Sequence, residues 1–380
     1  MSYSKTSKLT FLESVGIIAG TGIGSGVMAI PLLFKEAGII GGIIAFSLAF
    51  IVSIFMHFIM ADIVINSGTY EVTSIFNKLL LHGKAKKALK ILFFTLVTIM
   101  LISNLSAYIL GGADVLVSLT GIPPFLAKFL FYAISVFPVF FGLKAIGIGE
   151  KYLVMIIIGL SLFFALISSF NFNGSIALIG NVLSIIKTFS MTMFSLTALF
   201  AVPEIVKGFN NDAKQIKKSI SLGLAINLCI SSLICFSVIV SSKEVTPMAA
   251  VGWSHALGSI MSVLSSVFIL LAMITSFWVI SIAFSHIINA QFKTDSKFCY
   301  IAATLPSLLI ALIPFATFSF LAELASGAIS LLIAFMMIPG YIRSAKLSGR
   351  SPLLGNLGKS KLFFAGIILG NLFMVIGSLF

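Results

Sequence analysis

Glycine stands at every second position from Gly20 to Gly26, in the middle of an apolar segment long enough to cross a bilayer, Ser14–Phe34. Each glycine in a helix interior costs about 1 kcal/mol relative to alanine. A helix that only crosses a membrane gains nothing from four of them. Irregular backbone at membrane depth survives only where it is buried in protein or lines a cavity. The segment therefore reads as a discontinuous helix around a binding site, an arrangement found in secondary transporters. A plainer reading stays open: Gly16/Gly20 and Gly22/Gly26 carry the GxxxG spacing of helix packing. That spacing leaves Thr21 and Ser25 unexplained. A soluble dinucleotide-binding loop is excluded, because no strand precedes the run and no final glycine is in register.

The rest of the chain is of the same kind. Of its 380 residues 59% are hydrophobic and 9% are charged, against about 25% charged in a soluble domain. Eleven apolar spans follow one another: Phe11–Phe34, Ile39–Ile65, Ile91–Leu116, Phe125–Phe141, Tyr152–Phe170, Val182–Val206, Ser219–Val240, Leu257–Ala290, Phe298–Pro314, Phe318–Ile342 and Leu362–Phe380. No small-residue cleavage site follows the first, so it does not read as a removable signal peptide. The whole chain, 1–380, reads as a single transmembrane domain. Helices 1–5 occupy about 11–170, helices 6–10 about 182–342 and helix 11 about 362–380.

The net charge of +13 follows from topology. With the N-terminus cytoplasmic, all but four of the 24 Lys and Arg residues fall in the inner tail and loops; the exceptions are Lys35, Lys128, Lys187 and Lys243. This is the positive-inside pattern. It places the C-terminus outside and needs no nucleic-acid partner, leaving the lipid bilayer as the surrounding partner. Asn66–Lys90 reads as an interfacial helix whose Lys84, Lys86 and Lys87 face anionic headgroups, or as topology alone. Cys229, Cys235 and Cys299 lie in apolar segments without paired metal spacing and read as inert buried thiols. Nothing in the sequence fixes an oligomeric state.

A second span reads as broken. In Val182–Val206 the hydroxyl-rich run Ser190, Thr192, Ser195, Thr197 leads to Pro203 and Glu204. It lies five spans after the first. Broken helices in matching places of two halves point to an inverted-repeat transporter site. Five is odd, so the second half would run with opposite topology. The repeat is read from position alone.

These residues resemble a known family. The run from Ala19 through Gly26 to Pro31 and Leu32 is similar to the first-helix signature of the hydroxy and aromatic amino acid permeases. These are the bacterial tyrosine, tryptophan, serine and threonine permeases of the amino acid/auxin permease group and the APC superfamily. Ala107–Asp114 resembles the family's third helix. Val202–Val206 with Asp212–Ile220 resembles the end of the sixth and the loop after it, and Thr275–Ser281 resembles the eighth. The matches keep the family's order over most of the chain. The resemblance implies an all-α leucine-transporter fold: two inverted five-helix repeats plus an eleventh helix, in the plasma membrane of a prokaryote. There is one departure. The family's sixth helix usually breaks at glycine and aromatic residues, whereas Thr197, Ala198 and Leu199 stand there in this chain.

The candidate site residues follow. Gly20, Thr21, Gly22, Ile23 and Gly24 would form the first break. Its freed amides and the dipole of the following half-helix suit a carboxylate. Its freed carbonyls suit an ammonium or a cation. Tyr108, one turn after Asn104, can reach the carboxylate from span three, or is a packed tyrosine. Phe194, Ser195, Thr197 and Ala198 would face the substrate side chain, unless their hydroxyls only bond back to the helix. In sodium-coupled relatives of the fold, hydroxyls at the positions of Thr275 and Ser276 join first-helix carbonyls around Na⁺, whose preference is for oxygen. In several proton-coupled relatives a fifth-helix lysine takes that space; span five carries no mid-helix lysine here, which favours sodium or a proton carried by another group. Glu323 reads as a gate or proton carrier, because a carboxylate is costly to bury in a membrane. Asp114 and Asp62 are weaker candidates, and His57 reads as a hydrogen-bonded structural histidine.

Together these features predict an amino acid symporter coupled to Na⁺ or H⁺, with no other cofactor, importing an aromatic, hydroxy or other neutral amino acid. A carrier of another small amine or organic ion, or an exporter, on the same fold stays open. An intramembrane enzyme is disfavoured, since the eleven acidic residues are scattered singly. A channel is disfavoured too, because no filter motif repeats.

Overall fold

The computed structural model describes residues 9–24, 26–81, 86–242, 244–245, 258–318, 320–322, 324–325 and 336–379. Among them the regular structure is helical, without strands. Helix α1 (Phe11–Ile23) opens on a capping box. Thr10 Oγ1 accepts from Glu13 N at 3.3 Å, and Glu13 Oε2 accepts from Thr10 N at 2.8 Å. The box satisfies two donors near a helix start. The same carboxylate pairs with Lys144 at 2.6 Å. Lys144 lies on α6 (Gly142–Ser169), so the first helix is anchored to the fifth span from its first turn.

The chain leaves the helix at Gly24 (φ −27°, ψ −149°) and resumes as α2 (Gly26–Ser67). At 1.5 Å per residue α2 is about 63 Å long, twice the hydrocarbon thickness of a bilayer. It is two spans joined at Gly38, whose φ of 75° suits glycine. Backbone bonds from the non-helical segment 171–181 hold that bend: Ile39 N to Ala177 O at 3.0 Å, Ile40 N to Leu178 O at 3.1 Å and Asn181 N to Glu36 O at 3.0 Å.

The remaining helices are α3 (Val72–Leu79), α4 (Lys86–Thr120), α5 (Pro124–Val136), α7 (Val182–Ser195), α8 (Val202–Gly208), α9 (Ala213–Ser241), α10 (Ser259–Phe292), α11 (Ser296–Ala311), α12 (Ile338–Ser348) and α13 (Lys361–Leu379). Six helical stretches among the described residues are long and apolar enough to cross a membrane. The eleven expected spans do not appear as eleven long helices. The first and sixth are broken, α2 holds parts of two, and much of the tenth falls outside the described residues.

Two expectations shift. Span five begins at Gly142 rather than Tyr152, because the charges that interrupt the apolar run are accommodated within the helix. Lys144 meets Glu13, Lys151 sits 4.4 Å over the Tyr152 ring, and Glu150 turns inward to full burial. Helix α3 buries Val72, Ile75, Phe76 and Leu79 and packs against α2, α4, α10 and α12, so its apolar face meets protein. Lys86 and Lys87 begin α4, whereas His82 and Lys84 lie outside the described residues.

The packing sorts the helices around α1. It lies against α6, α9 and α10. Helix α2 packs most extensively on α7 and α9, α4 lies against α10 and α11, and α13 covers α7. Large apolar side chains such as Ile43, Leu166, Phe163 and Leu369 point outward, as lipid-facing positions require, while the interior is rich in buried Ser and Thr.

Candidate binding site between two broken helices

Helix α7 ends at Ser195 and α8 starts at Val202, with turns between. The side chains explain the stop. Thr192 and Thr197 bond back to the carbonyls of Thr188 (2.7 Å) and Met193 (2.8 Å), competing with the helix ladder. Pro203, in the first turn of α8, suits a new helix start. The backbone groups released at membrane depth find side-chain partners. Asn227 Nδ2 of α9 donates to Ser195 O at 2.9 Å, and Ser53 Oγ of α2 donates to Leu196 O at 3.3 Å. Ala198 N donates to His57 Nε2 at 3.0 Å. His57 Nδ1 faces Ser53 O at 2.7 Å, so Nδ1 carries the proton and Nε2 accepts.

The first break is sharper than the sequence suggests. Gly20, Thr21, Gly22 and Ile23 stay helical, and the chain turns at Gly24; Ser25 lies outside the described residues. The glycines have a second use, which is close approach. A Cβ on Gly20 would overlap the Glu150 carboxylate, and one on Gly22 would overlap both the Asn227 amide and Ser195 O. A Cβ on Gly24 would lie 2.9 Å from both Tyr108 Oη and Ser276 Oγ, and one on Gly26 would lie 3.2 Å from Ser195 Cβ. The alternating glycines thus admit α6, then α7 and α9, then α4 and α10, then α7 again.

A cavity of about 20 Å³ lies where the breaks meet, room for about one water. Thr21, Gly22, Gly24, Tyr108, Phe194 and Thr197 line it, joined by Asn104, Gly26 and Ile280. Gly20, Ile23, Ser195 and Ala198 of the sequence candidates do not. Gly20 faces Glu150 and Thr275. Ile23 is buried in the core. Ser195 Oγ donates to Gly22 O at 3.3 Å, closing one break on the other, and Ala198 is held by His57. The C-terminal ends of α1 and α7 and the N-terminal end of α2 all reach the cavity. Helix ends carry about half a charge, negative at a C-terminus and positive at an N-terminus. The cavity is therefore bipolar, with an anion favoured beside Gly26 and a cation beside the ends of α1 and α7.

Beside it, Ser276 Oγ donates to Gly20 O (3.0 Å) and Thr21 O (3.1 Å), and Thr275 Oγ1 to Gly20 O (3.3 Å). The two hydroxyls meet first-helix carbonyls, the contact that the family resemblance implies. Glu150 stands on the other side of Gly20, and among the described residues neither carboxyl oxygen has a hydrogen-bond partner. The Asp62 carboxylate accepts from Leu353 N (2.8 Å) and Leu354 N (3.2 Å), a structural anchor. Asp114 is exposed. Glu323 lies outside the described residues.

Sequence reasoning missed Asn227 and Glu150. Asn227 carried a signal, since it is a polar side chain in the middle of span seven, where such groups are costly unless bonded. Glu150 was hidden by a span boundary drawn at Tyr152.

A family model described as the tryptophan/tyrosine permease family matches residues 7–346. Among solved structures, the chain is similar to MhsT in complex with L-phenylalanine (TM-score 0.72, 14% identity, covering 99% of each chain). It is similar to Mhp1, a nucleobase-cation-symport-1 family transporter with bromovinylhydantoin bound (TM-score 0.71, 14% identity, 99% of this chain and 92% of that one). A manganese transporter of Eremococcus coleocola also aligns (TM-score 0.65, 14% identity, 97% and 87%). No curated protein matches the chain significantly in sequence. At such identity the structures establish the fold, that of the leucine transporter.

Proposed function

The chain belongs to the tryptophan/tyrosine permease family, a family of transporters rather than enzymes, and we propose that it imports a neutral amino acid, aromatic or hydroxy, by ion-coupled alternating access. The observation that carries the reading is the bipolar cavity. An amino acid presents a carboxylate and an ammonium about one bond apart from a common carbon. The start of α2 beside Gly26 offers amides to the first, and the ends of α1 and α7 offer carbonyls to the second. Tyr108 and Asn104 add polar contacts from α4, and Phe194 and Thr197 meet the side chain.

The cavity of about 20 Å³ is far below the volume of any amino acid, so loading requires the walls to part. Ion binding at Gly20, Thr275 and Ser276, as Na⁺ or as a proton nearby, would bias that movement. Orientation follows the basic residues: N-terminus inside, C-terminus outside, in a prokaryotic plasma membrane. The two five-span halves, at about 11–170 and 182–342, form one transporter domain with helix 11.

Purified protein in liposomes tests the reading. Uptake of radiolabelled amino acids is measured as a panel, with Na⁺ or choline, at two pH values. Accumulation of an aromatic or hydroxy amino acid under one gradient is expected. No accumulation of any amino acid under either gradient would overturn it.

A further inference from the structure

We propose that Asn104 sets which amino acids are carried, by hydrogen-bonding a hydroxyl group on the substrate side chain. The inference rests on the reading of the chain as an amino acid importer and deepens it. Asn104 is 6% exposed and lines the cavity between the two breaks. Among the described residues its side-chain amide makes no hydrogen bond. The other two buried asparagines are engaged: Asn227 Nδ2 donates to Ser195 O at 2.9 Å, and Asn371 Nδ2 to Ile367 O at 2.8 Å. A buried amide without a partner is costly. Asn104 presents one to the space that the proposed substrate would fill.

The groups around it narrow the ligand. Thr21 and Thr197 give their hydroxyl protons to their own helices, at Ile17 O and Met193 O. Toward the cavity these two oxygens can only accept. The Tyr108 hydroxyl stands at the break itself, since a Cβ on Gly24 would lie 2.9 Å from it. That is the end proposed for the carboxylate and ammonium. Asn104 precedes Tyr108 on α4 by one turn, about 6 Å along the axis. That offset places it beside the substrate side chain rather than the charged end.

A hydroxyl both gives and accepts a hydrogen bond, as does an amide. A substrate hydroxyl can accept from Asn104 Nδ2 and donate to Asn104 Oδ1 of a turned amide or to Thr197 Oγ1, which lines the same cavity. The cavity of about 20 Å³ has room for about one water, the size of a hydroxyl. Phe194 and Ile280 supply apolar walls, and no charged side chain lines the cavity among the described residues. A charged substrate side chain would find no counter-ion there. An indole N–H only donates and leaves Asn104 Nδ2 without an acceptor. An apolar side chain leaves the whole amide buried and unmatched, which is how a site built for a hydroxyl rejects the analogue that lacks it.

The test uses proteoliposomes of the full chain under inward Na⁺ and pH gradients together, so that its outcome does not depend on the coupling ion. Uptake is measured for three matched pairs: tyrosine and phenylalanine, threonine and valine, serine and alanine. The pair that is carried reports the size of the pocket, and the ratio within it reports on Asn104. Wild type is expected to prefer the hydroxylated member by roughly tenfold in half-saturation concentration, the effect of one buried hydrogen bond. Tryptophan is expected to bind more weakly than tyrosine. Asn104→Leu is expected to bring the ratio to about one, by weakening the hydroxylated member and tightening the apolar one. Without substrate it is expected to melt no lower than wild type, since it loses no bond. A purely structural asparagine would instead lower the melting point and leave the ratio in place, which refutes the assignment. Wild type that carries both members of a pair equally, or an unchanged ratio in Asn104→Leu, also overturns it. If Asn104→Leu does not fold, Asn104→Ala decides by the same ratio. Failure of wild type to take up any amino acid removes the transporter reading beneath the proposal. Uptake without preference for the hydroxyl removes the proposal alone.

Discussion

The side-chain amide of Asn227 donates to the carbonyl of Ser195 at 2.9 Å, and the same nitrogen lies 3.5 Å from Ala19 O. One residue of α9 thereby holds the last carbonyl of α7 and reaches α1, the two helices that end at the cavity.

Asn227→Leu is expected to strand Ser195 O in a buried position, at a cost of about 1–3 kcal/mol. A lowered melting temperature in detergent, with reduced substrate affinity, is the expected signature. A variant as stable and as active as wild type would show that the bond does not matter.

Gly22→Ala and Gly20→Ala place a methyl group onto the Asn227 amide and the Glu150 carboxylate respectively. Both are expected to lose nearly all uptake. Gly159→Ala is the control. It lies within α6 and meets nothing within 4 Å, so it is expected to keep uptake and to gain up to about 1 kcal/mol from helix propensity. Equal losses in all three would point to a general intolerance of the fold.

Tyr108→Phe removes a hydroxyl from the cavity and leaves the ring. Loss of one polar contact of about 1 kcal/mol corresponds to roughly fivefold weaker binding. The expected result is a raised half-saturation concentration with the maximal rate nearly unchanged. An unaltered half-saturation would place the hydroxyl outside the substrate's reach.

His57→Phe leaves Ala198 N without its acceptor inside the second break. Hydrogen exchange at Ala198 and its neighbours should accelerate, while the ends of α2 keep their protection. Unchanged exchange at Ala198 would mean another group takes over the bond.

The two breaks were legible because helix-breaking chemistry is local: glycines in one, hydroxyls and Pro203 in the other. The junction between Thr275, Ser276 and Gly20 came from the family resemblance and matches the geometry. What the sequence withheld is which neighbour each residue meets. The glycine run looked like four weak points of one helix, yet Gly20 and Gly22 remain helical and make room for Glu150 and Asn227. That requires knowing how α6 and α9 lie against α1, which no local pattern encodes. Ala198 and Ser195 sit at the break, where a pocket residue is expected. Their backbone and hydroxyl are instead used to hold the break together.

The attachment of α2 to α7 has a mechanical consequence. At one end Asn181 N and Ser184 Oγ bond Glu36, and at the other His57 and Ser53 hold Ala198 and Leu196. Helix α7 is thus pinned at one end to the arm of α2 before the bend at Gly38 and, just past its other end, to the arm after it, so it cannot slide along α2 without breaking both sets of pins. The opposite walls of the cavity, Tyr108 on α4 and Ile280 on α10, belong to helices that pack on each other. In the proposed import cycle the walls would part between these two pairs, each turning as a unit.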